Sequence, residues 1–476
     1  MKTNEKVIDT NIKLSVKDRI NYTIAEFGYN SIYYWISAFM TIFFTDQMGI
    51  KAGMVSLLLL VVRIFDGIND PLIGSMADRS KSDRFGNRYT RWVRWGAIGM
   101  CTAIFLLFCC QAGWSYNIKC VYMWVIYIMV TVMSTCCNMP YGAINGVLTS
   151  NGAERTKASG MRMLFANTGA NVCAILSVPM LLLFSRAGGQ QTPGGYRLAI
   201  LVTIVVGLPL LIWSSYHTKE VVQPPKNQIK IPVGKQFAAF FKNKYAIIAA
   251  LGFFMIGFSA YGRMTIQVYY FTYVSGNAGL NTYAGYLGLF GAIVGSGFLS
   301  IWIYNLVKHK GYQMMICYGL GGLFSIPCFF TRATGQFAAI FWICQCLSLL
   351  FQNAGSAAAY GIVGDASDMG ELKAGVRVDG FLASFVSLMM KAGGAVGPAI
   401  LVALIDRAGY VPNVSQNESV LSIINFGMTI AMSICCFLIV VMYCFYDLNE
   451  KKHDGVRREL EMRHAKIAAD MDNNNF

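Results

Sequence analysis

The feature that most constrains this chain is a recurring apolar block about twenty residues long, the length a helix needs to cross the hydrocarbon core of a bilayer. About twelve such blocks occur by that criterion. They start near Ile20, Val55, Trp92, Cys120, Met161, Leu198, Tyr245, Tyr283, Tyr312, Phe337, Phe381 and Ile423. Inside lipid the backbone must satisfy its own hydrogen bonds, and a helix does so within one segment. Charged residues make up 13% of the chain, against about a quarter in a soluble domain. That leaves too little polar surface to face water, and a large soluble enzyme is excluded. The expected fold is an all-α membrane protein with twelve transmembrane helices in two six-helix halves.

The formal charge of +15 is gathered between the blocks. Basic clusters lie in the N-terminal arm (Lys2, Lys6, Lys13, Lys17, Arg19), the second connector (Arg79, Lys81, Arg84, Arg88, Arg91), the sixth (Lys219, Lys226, Lys230, Lys235, Lys242) and the tail (Lys451, Lys452, Arg457, Arg458). The first and third connectors carry only Lys51 and Lys119. This alternation points to membrane orientation rather than nucleic-acid binding, with both termini cytoplasmic. The expected division is an arm and first half over 1–216, a linker over 217–244 containing Pro224-Pro225, a second half over 245–446 and a tail over 447–476. The basic N-terminus and long first block do not read as a cleavable signal. The fourteen cysteines sit in or beside apolar blocks and read as small packing hydrophobes, without disulfides or a metal cluster.

Ionisable residues inside apolar blocks are costly and mark cavities or partners. The second block reads Arg63-Ile-Phe-Asp66-Gly-Ile-Asn69-Asp70-Pro71. Asp66 and Asp70 are four apart and share one helix face, with the Asn69 amide beside them. Oxygen ligands of this kind suit a small hard cation; the plainer alternative is an ion pair with Arg63 or with the basic loop that follows. Thr135 of the fourth block offers a hydroxyl to the same cation, or eases helix packing near Pro140. Arg162, Arg263 and Lys391 are cations at or near membrane depth, and each either faces solute or pairs structurally. After the tenth block comes Asp365-Ala-Ser-Asp368, leading to Arg377. This segment reads as a solvated turn or as a gate ion-paired to the other half.

Taken together, these residues resemble the glycoside–pentoside–hexuronide:cation symporters of the major facilitator superfamily. The resemblance runs from about residue 18 to 446. It rests on Phe44-Thr45-Asp46, Arg63-x-x-Asp66-x-x-Asn69-Asp70-Pro71, Asp78-Arg79, Asn138-x-Pro140-Tyr141-Gly142, Glu154-Arg155-Thr156-Lys157 and Asp368-x-Gly370-Glu371-x-Lys373-x-Gly375-Val376-Arg377. It implies a cation site at Asp66, Asn69, Asp70 and Thr135, a sugar-site arginine at Arg162 and a basic position in the eleventh helix at Lys391. Melibiose-carrying members hold sugar hydroxyls with two aspartates, and those positions fall on Asn30 and Asn138. The asparagine pattern is closer to members that carry β-glucuronides. Without the two acids, Arg162 and Lys391 shift the cavity toward positive, with Arg263 as a further contributor, which suits a carboxylated sugar. Asparagine also binds neutral hydroxyls well, so a neutral glycoside stays open.

The functional expectation is therefore a monomeric symporter of a bacterial inner membrane, surrounded by lipid. It carries a small sugar, glycoside or hexuronide with Na+ or H+ by alternating access, and it needs no cofactor. Asn30, Asn138, Arg162, Lys391 and Arg263 form the expected substrate set, and Lys391 is expected to offset Asp66 and Asp70 when the cation is absent. A non-transporting sensor and a lipid carrier on the same fold are the alternatives.

Overall fold

The structure, a computed structural model, describes residues 14–80, 87–149, 152–185, 191–220, 237–238, 240–374 and 379–449, with 452, 455–456, 458–459 and 462 of the tail. Among these residues twelve long helical rods follow one another and no strand occurs. The first, α1, spans 16–47: an α-helix over Val16–Tyr34 continues through π-helical stretches at Trp35–Phe39 and Phe43–Gln47. Then come α2 (Ala52–Arg79), α3 (Tyr89–Leu107), α4 (Tyr116–Val147), α5 (Gly152–Ser185) and α6 (Pro193–His217). The second series is α7 (Lys244–Val274), α8 (Leu280–Val307), α9 (Lys310–Phe330), α10 (Ala338–Ala374), α11 (Asp379–Arg407) and α12 (Glu418–Tyr443). Ten of the twelve are long and apolar enough to cross a membrane. The other two are α1, interrupted by its π-helical stretches, and α3, with Arg91 and Arg94 in its first turns.

Local chemistry sets where these helices begin. Ser15 accepts the Asp18 amide at the start of α1, and Thr192 accepts the Gly195 amide before α6, where Pro193 takes the first helical position. Both satisfy amides that the helix itself leaves open. The N-terminus of α3 is capped from a distance: the Glu220 carboxylate accepts the amides of Arg88, Tyr89 and Thr90 at 2.7–3.0 Å. An anion there is favoured by the open donors and the helix dipole together.

Two compact units result. The first contains 1–228, 277–289 and 409–416; the second contains 229–276, 290–408 and 417–476. Two pieces from beyond the sixth connector thus belong with the first six helices. Thr282 donates to the Ile175 carbonyl of α5 at 3.2 Å. Tyr410 donates its hydroxyl to the Asp46 carboxylate at the end of α1, and Asn413 donates to the Asp46 carbonyl.

Small residues let the helices approach closely, as expected where lipid supplies no hydrophobic drive between them. In the first unit a methyl group added at Gly169 of α5 would meet the backbone of Phe27 in α1, and one at Gly96 of α3 would meet that of Cys137 in α4. In the second unit Gly257 of α7 faces the Met390 carbonyl of α11, while Gly393 and Gly397 face those of Phe254 and Phe258. The outer surface is apolar: Leu183, Phe298 and Phe330 are 71%, 72% and 78% exposed. Such an exterior suits hydrocarbon and would drive aggregation in water.

The sequence placed Asp365 and Asp368 in a connector. They lie instead on α10, which continues helical to Ala374. The reason is packing: Ala366 and Met369 are buried in the core of the second unit, and Leu372 packs against it. Asp365 accepts from Lys310 at 2.7 Å and from Tyr446 at 3.2 Å, both within its own unit. Arg377 falls outside the described residues.

The close approach of α7 and α11 yields a test. Gly393→Leu must push against the Phe254 carbonyl, whereas Gly297→Leu meets open space. Overpacking of this kind costs about 1–3 kcal/mol or more. Thermal unfolding in detergent should show a lowered midpoint for Gly393→Leu and little change for Gly297→Leu; equal midpoints would contradict the packing described.

Candidate functional site

In α2 the sequence sets Asp66, Asn69 and Asp70 within about one turn. All three are buried, at 7%, 8% and 8% exposure, in a helix otherwise apolar enough to span a membrane. Thr135 of α4 donates its hydroxyl to Asp70 Oδ1 at 2.9 Å. Arg63, one turn before Asp66, donates Nη1 to Asp66 Oδ2 at 2.9 Å. The ion pair with Arg63 that the spacing left open is present at Asp66, while Asp70 is met by the Thr135 hydroxyl. Asn69 Nδ2 is buried with no hydrogen-bond partner among the described residues. Rotating that amide would present an oxygen at the same point. Two carboxylates, one hydroxyl and one amide on facing helices make an oxygen-rich patch, the donor chemistry that hard cations take.

A second cluster joins α1, α4 and α5. Asn30 and Arg162 meet on Glu26, which the sequence reading passed over. Arg162 donates Nε to Glu26 Oε1 in a short ion pair. Asn30 Nδ2 donates to Glu26 Oε2 at 2.7 Å and to the Glu26 carbonyl at 2.9 Å. The guanidinium lies 4.8 Å from the centre of the Tyr141 ring, in cation–π range. Tyr141 stacks on Tyr22 at 5.0 Å and donates its hydroxyl to the Tyr22 carbonyl at 2.6 Å. Asn138 and Glu26 both border a gap of about 10 Å³, closed also by Ala25, Tyr29, Cys137, Tyr141 and Leu211. That is room for about one water. A separate cavity of about 390 Å³, bordered by Ser80, Arg91, Trp92, Trp95, Gly96, Met133 and Cys136, shares no residue with either cluster.

Glu26 corrects the charge argument made from the two asparagines. They do remove two acids, but Glu26 restores one and spends it on Arg162. A signal for it existed: Glu26 is an acid in the first apolar block, one turn before Asn30. The pairing itself was not legible, because Arg162 lies 136 residues further along the chain.

The remaining expected residues belong to the second unit. Arg263 of α7 is buried and donates Nη2 to Gln352 Oε1 of α10 at 2.9 Å, and no carboxylate among the described residues pairs with it. Gln352 in turn donates to Ser348 at 2.9 Å. Lys391 lies mid-way along α11 and is partly buried.

Residues 21–450 match the family described as MFS/sugar transport protein. The chain belongs to that family. As a member it is a multi-pass membrane transporter of the sugar class and not an enzyme. It is 28% identical over 452 residues to the uncharacterized symporter YnaJ of Bacillus subtilis, covering 95% of this chain and 96% of that one. It is 25% identical to the isoprimeverose transporter of Lactiplantibacillus pentosus, covering 94% and 92%. It is 23% identical to the glucuronide carrier protein homolog of Escherichia coli, covering 95% and 97%. Among solved structures, a bacterial homologue of the human lysosomal transporter Spinster superposes with a TM-score of 0.65 at 13% identity, covering 91% of this chain and 97% of that one. The nucleoside transporter NupG gives 0.61 at 11%, covering 89% and 99%. At such identities the likeness is one of fold, and the fold of this family member is that of the major facilitator superfamily.

The ion pair generates its own expectation. Arg162→Met strands the Glu26 carboxylate, and breaking a buried pair from one side costs about 3–5 kcal/mol. Thermal unfolding should show a large drop for Arg162→Met that adding Glu26→Gln partly restores. A double variant no more stable than Arg162→Met would mean the two groups act independently.

Proposed function

We propose that this transporter carries a glycoside or hexuronide inward across a bacterial inner membrane together with a cation, Na+ or H+, by alternating access. The carrier of the reading is the α2 patch: the Thr135 hydroxyl meets Asp70 at 2.9 Å while Asp66, Asn69 and Asp70 stay buried in an apolar helix. Buried carboxylates are expensive in hydrocarbon unless paired or neutralised. A bound cation relieves that cost, and the relief favours whichever conformation holds the sugar. By linkage the sugar must raise cation affinity by the same factor, about 5- to 150-fold for typical coupling. Support for sugar as the solute comes from the family match and from relatives named as isoprimeverose and glucuronide carriers.

In this proposal Asp66, Asn69, Asp70 and Thr135 hold the cation, and Arg63 orients Asp66. Asn30, Asn138 and Arg162 form the sugar-reading set of the first unit. Lys391 and Arg263 are its counterparts in the second, with Lys391 offsetting the aspartates when the cation leaves. Asp365 and Asp368 act at the gate through the end of α10, and Arg377 completes it. The basic arm, linker and tail lie on the cytoplasmic side, with 1–216 and 245–446 as the two moving halves.

Proteoliposomes test the coupling. Asp70→Asn should abolish sugar accumulation driven by a sodium or proton gradient while equilibrium counterflow of the same sugar persists. Thr135→Ala removes one ligand worth about 1–2 kcal/mol, so the half-saturating cation concentration should rise about 5- to 30-fold. Accumulation by Asp70→Asn that still follows the cation gradient as in the wild type would refute the assignment of α2.

A further inference from the structure

The Glu26–Arg162 pair bears on something the family match leaves open, the charge of the solute. Three features matter. The Arg162 Nε is engaged by Glu26 Oε1, and the ring of Tyr141 lies beside the guanidinium. The other Glu26 oxygen is engaged by the Asn30 amide. The Asn138 amide, at the edge of the same gap, has no hydrogen-bond partner among the described residues and is only partly buried. The cluster thus combines a cancelled charge with an open amide.

We infer that Glu26 is the specificity-determining residue of this site: by neutralising Arg162 it makes the first unit select a neutral glycoside and reject a hexuronide. This rests on the reading of the chain as a glycoside symporter. A solute carboxylate approaching Arg162 meets Glu26 at the same guanidinium, and one acid must lose its partner. Two carboxylates at one guanidinium repel, and Glu26 is buried away from the water that would relieve the conflict. A sugar hydroxyl faces no such conflict. It donates to Glu26 or to the Asn138 carbonyl oxygen and accepts from the Asn138 amide or from the remaining N–H groups of Arg162.

The test is selectivity, which a merely structural role would not shift. Full-length protein in proteoliposomes is assayed by counterflow against a panel of glycosides, each paired with the hexuronide of the same ring. Wild type should favour the neutral member of its best pair by about tenfold or more, the order expected from like-charge juxtaposition. Glu26→Gln keeps the shape and one accepting oxygen but frees the guanidinium of its counter-charge, and should move the neutral-to-charged ratio toward the hexuronide by about tenfold or more. The double variant Glu26→Gln/Arg162→Gln has no net charge to unbalance the fold and should lose that gain. Equal losses for both members in Glu26→Gln, or a gain that survives in the double variant, overturns the inference. Wild type that prefers the hexuronide overturns it while leaving the glycoside reading intact. Wild type that exchanges no member of any pair overturns both.

Discussion

A charge inside hydrocarbon must find an opposite charge, hydrogen-bond partners or water, and the first unit is organised around how it meets that demand. Glu26 and Arg162 answer each other. They can do so because α1 and α5 already lie close: Gly169 presents its bare backbone to Phe27, and Ser31 donates to the Gly169 carbonyl at 3.0 Å. Packing and pairing therefore support one another. A bulkier residue at Gly169 would force the helices apart and stretch the ion pair. Loss of either charge would leave the other buried at the same contact, where desolvation makes it costly.

The two clusters are joined through one helix. Thr135, Asn138 and Tyr141 recur every three residues along α4, so they share a broad side of it. Thr135 reaches Asp70 of α2, and Tyr141 reaches Tyr22 of α1 and the Arg162 guanidinium. Asn138 lies between them. A change at Asp70 is thus felt by the same helix that borders the Glu26 gap. Pro140 sits inside this stretch. It cannot supply the amide that the helix would bond to the carbonyl four residues earlier, so α4 has a built-in place to bend between its two contacts. That is a physical route by which the proposed cation and sugar sites can be coupled within one unit.

Much of this was legible before any coordinates. Block length alone announces helices because lipid permits little else, and the spacing of Asp66 and Asp70 announces a shared face. Thr135 and Arg162 were read as polar groups in apolar blocks, Asn30 and Asn138 came from motif resemblance, and all four fall in the two clusters described. What stayed hidden was pairing at long range. Arg63 with Asp66 is local and was weighed; Glu26 with Arg162 spans most of the first unit and was missed. The reading of Asp365 and Asp368 as part of a turn failed for another reason. Asp365 and Asp368 look like a polar turn in one dimension, but Ala366, Met369 and Leu372 between and beyond them continue a buried face that keeps α10 helical. A mixed segment is read wrongly when its charges are counted and its period is not.

The second unit handles a buried cation differently, and the contrast sharpens the role of the first. Arginine keeps its charge in almost any environment, yet Arg263 is 6% exposed, and the hydrogen bond it makes goes to the neutral Gln352. Gln352 is itself tied to Ser348, which donates to the Gly321 carbonyl at 2.7 Å. Arg263 therefore ends in a chain of amide and hydroxyl dipoles inside the bundle, with no acid among the described residues whose exchange for a solute group could be sensed. Arg162 has the opposite arrangement: an acid partner and an aromatic neighbour, both of which border a gap. Of these two guanidiniums, only Arg162 has a charge balance that an incoming solute could tip, which is why solute charge should be read at the contact between α1 and α5.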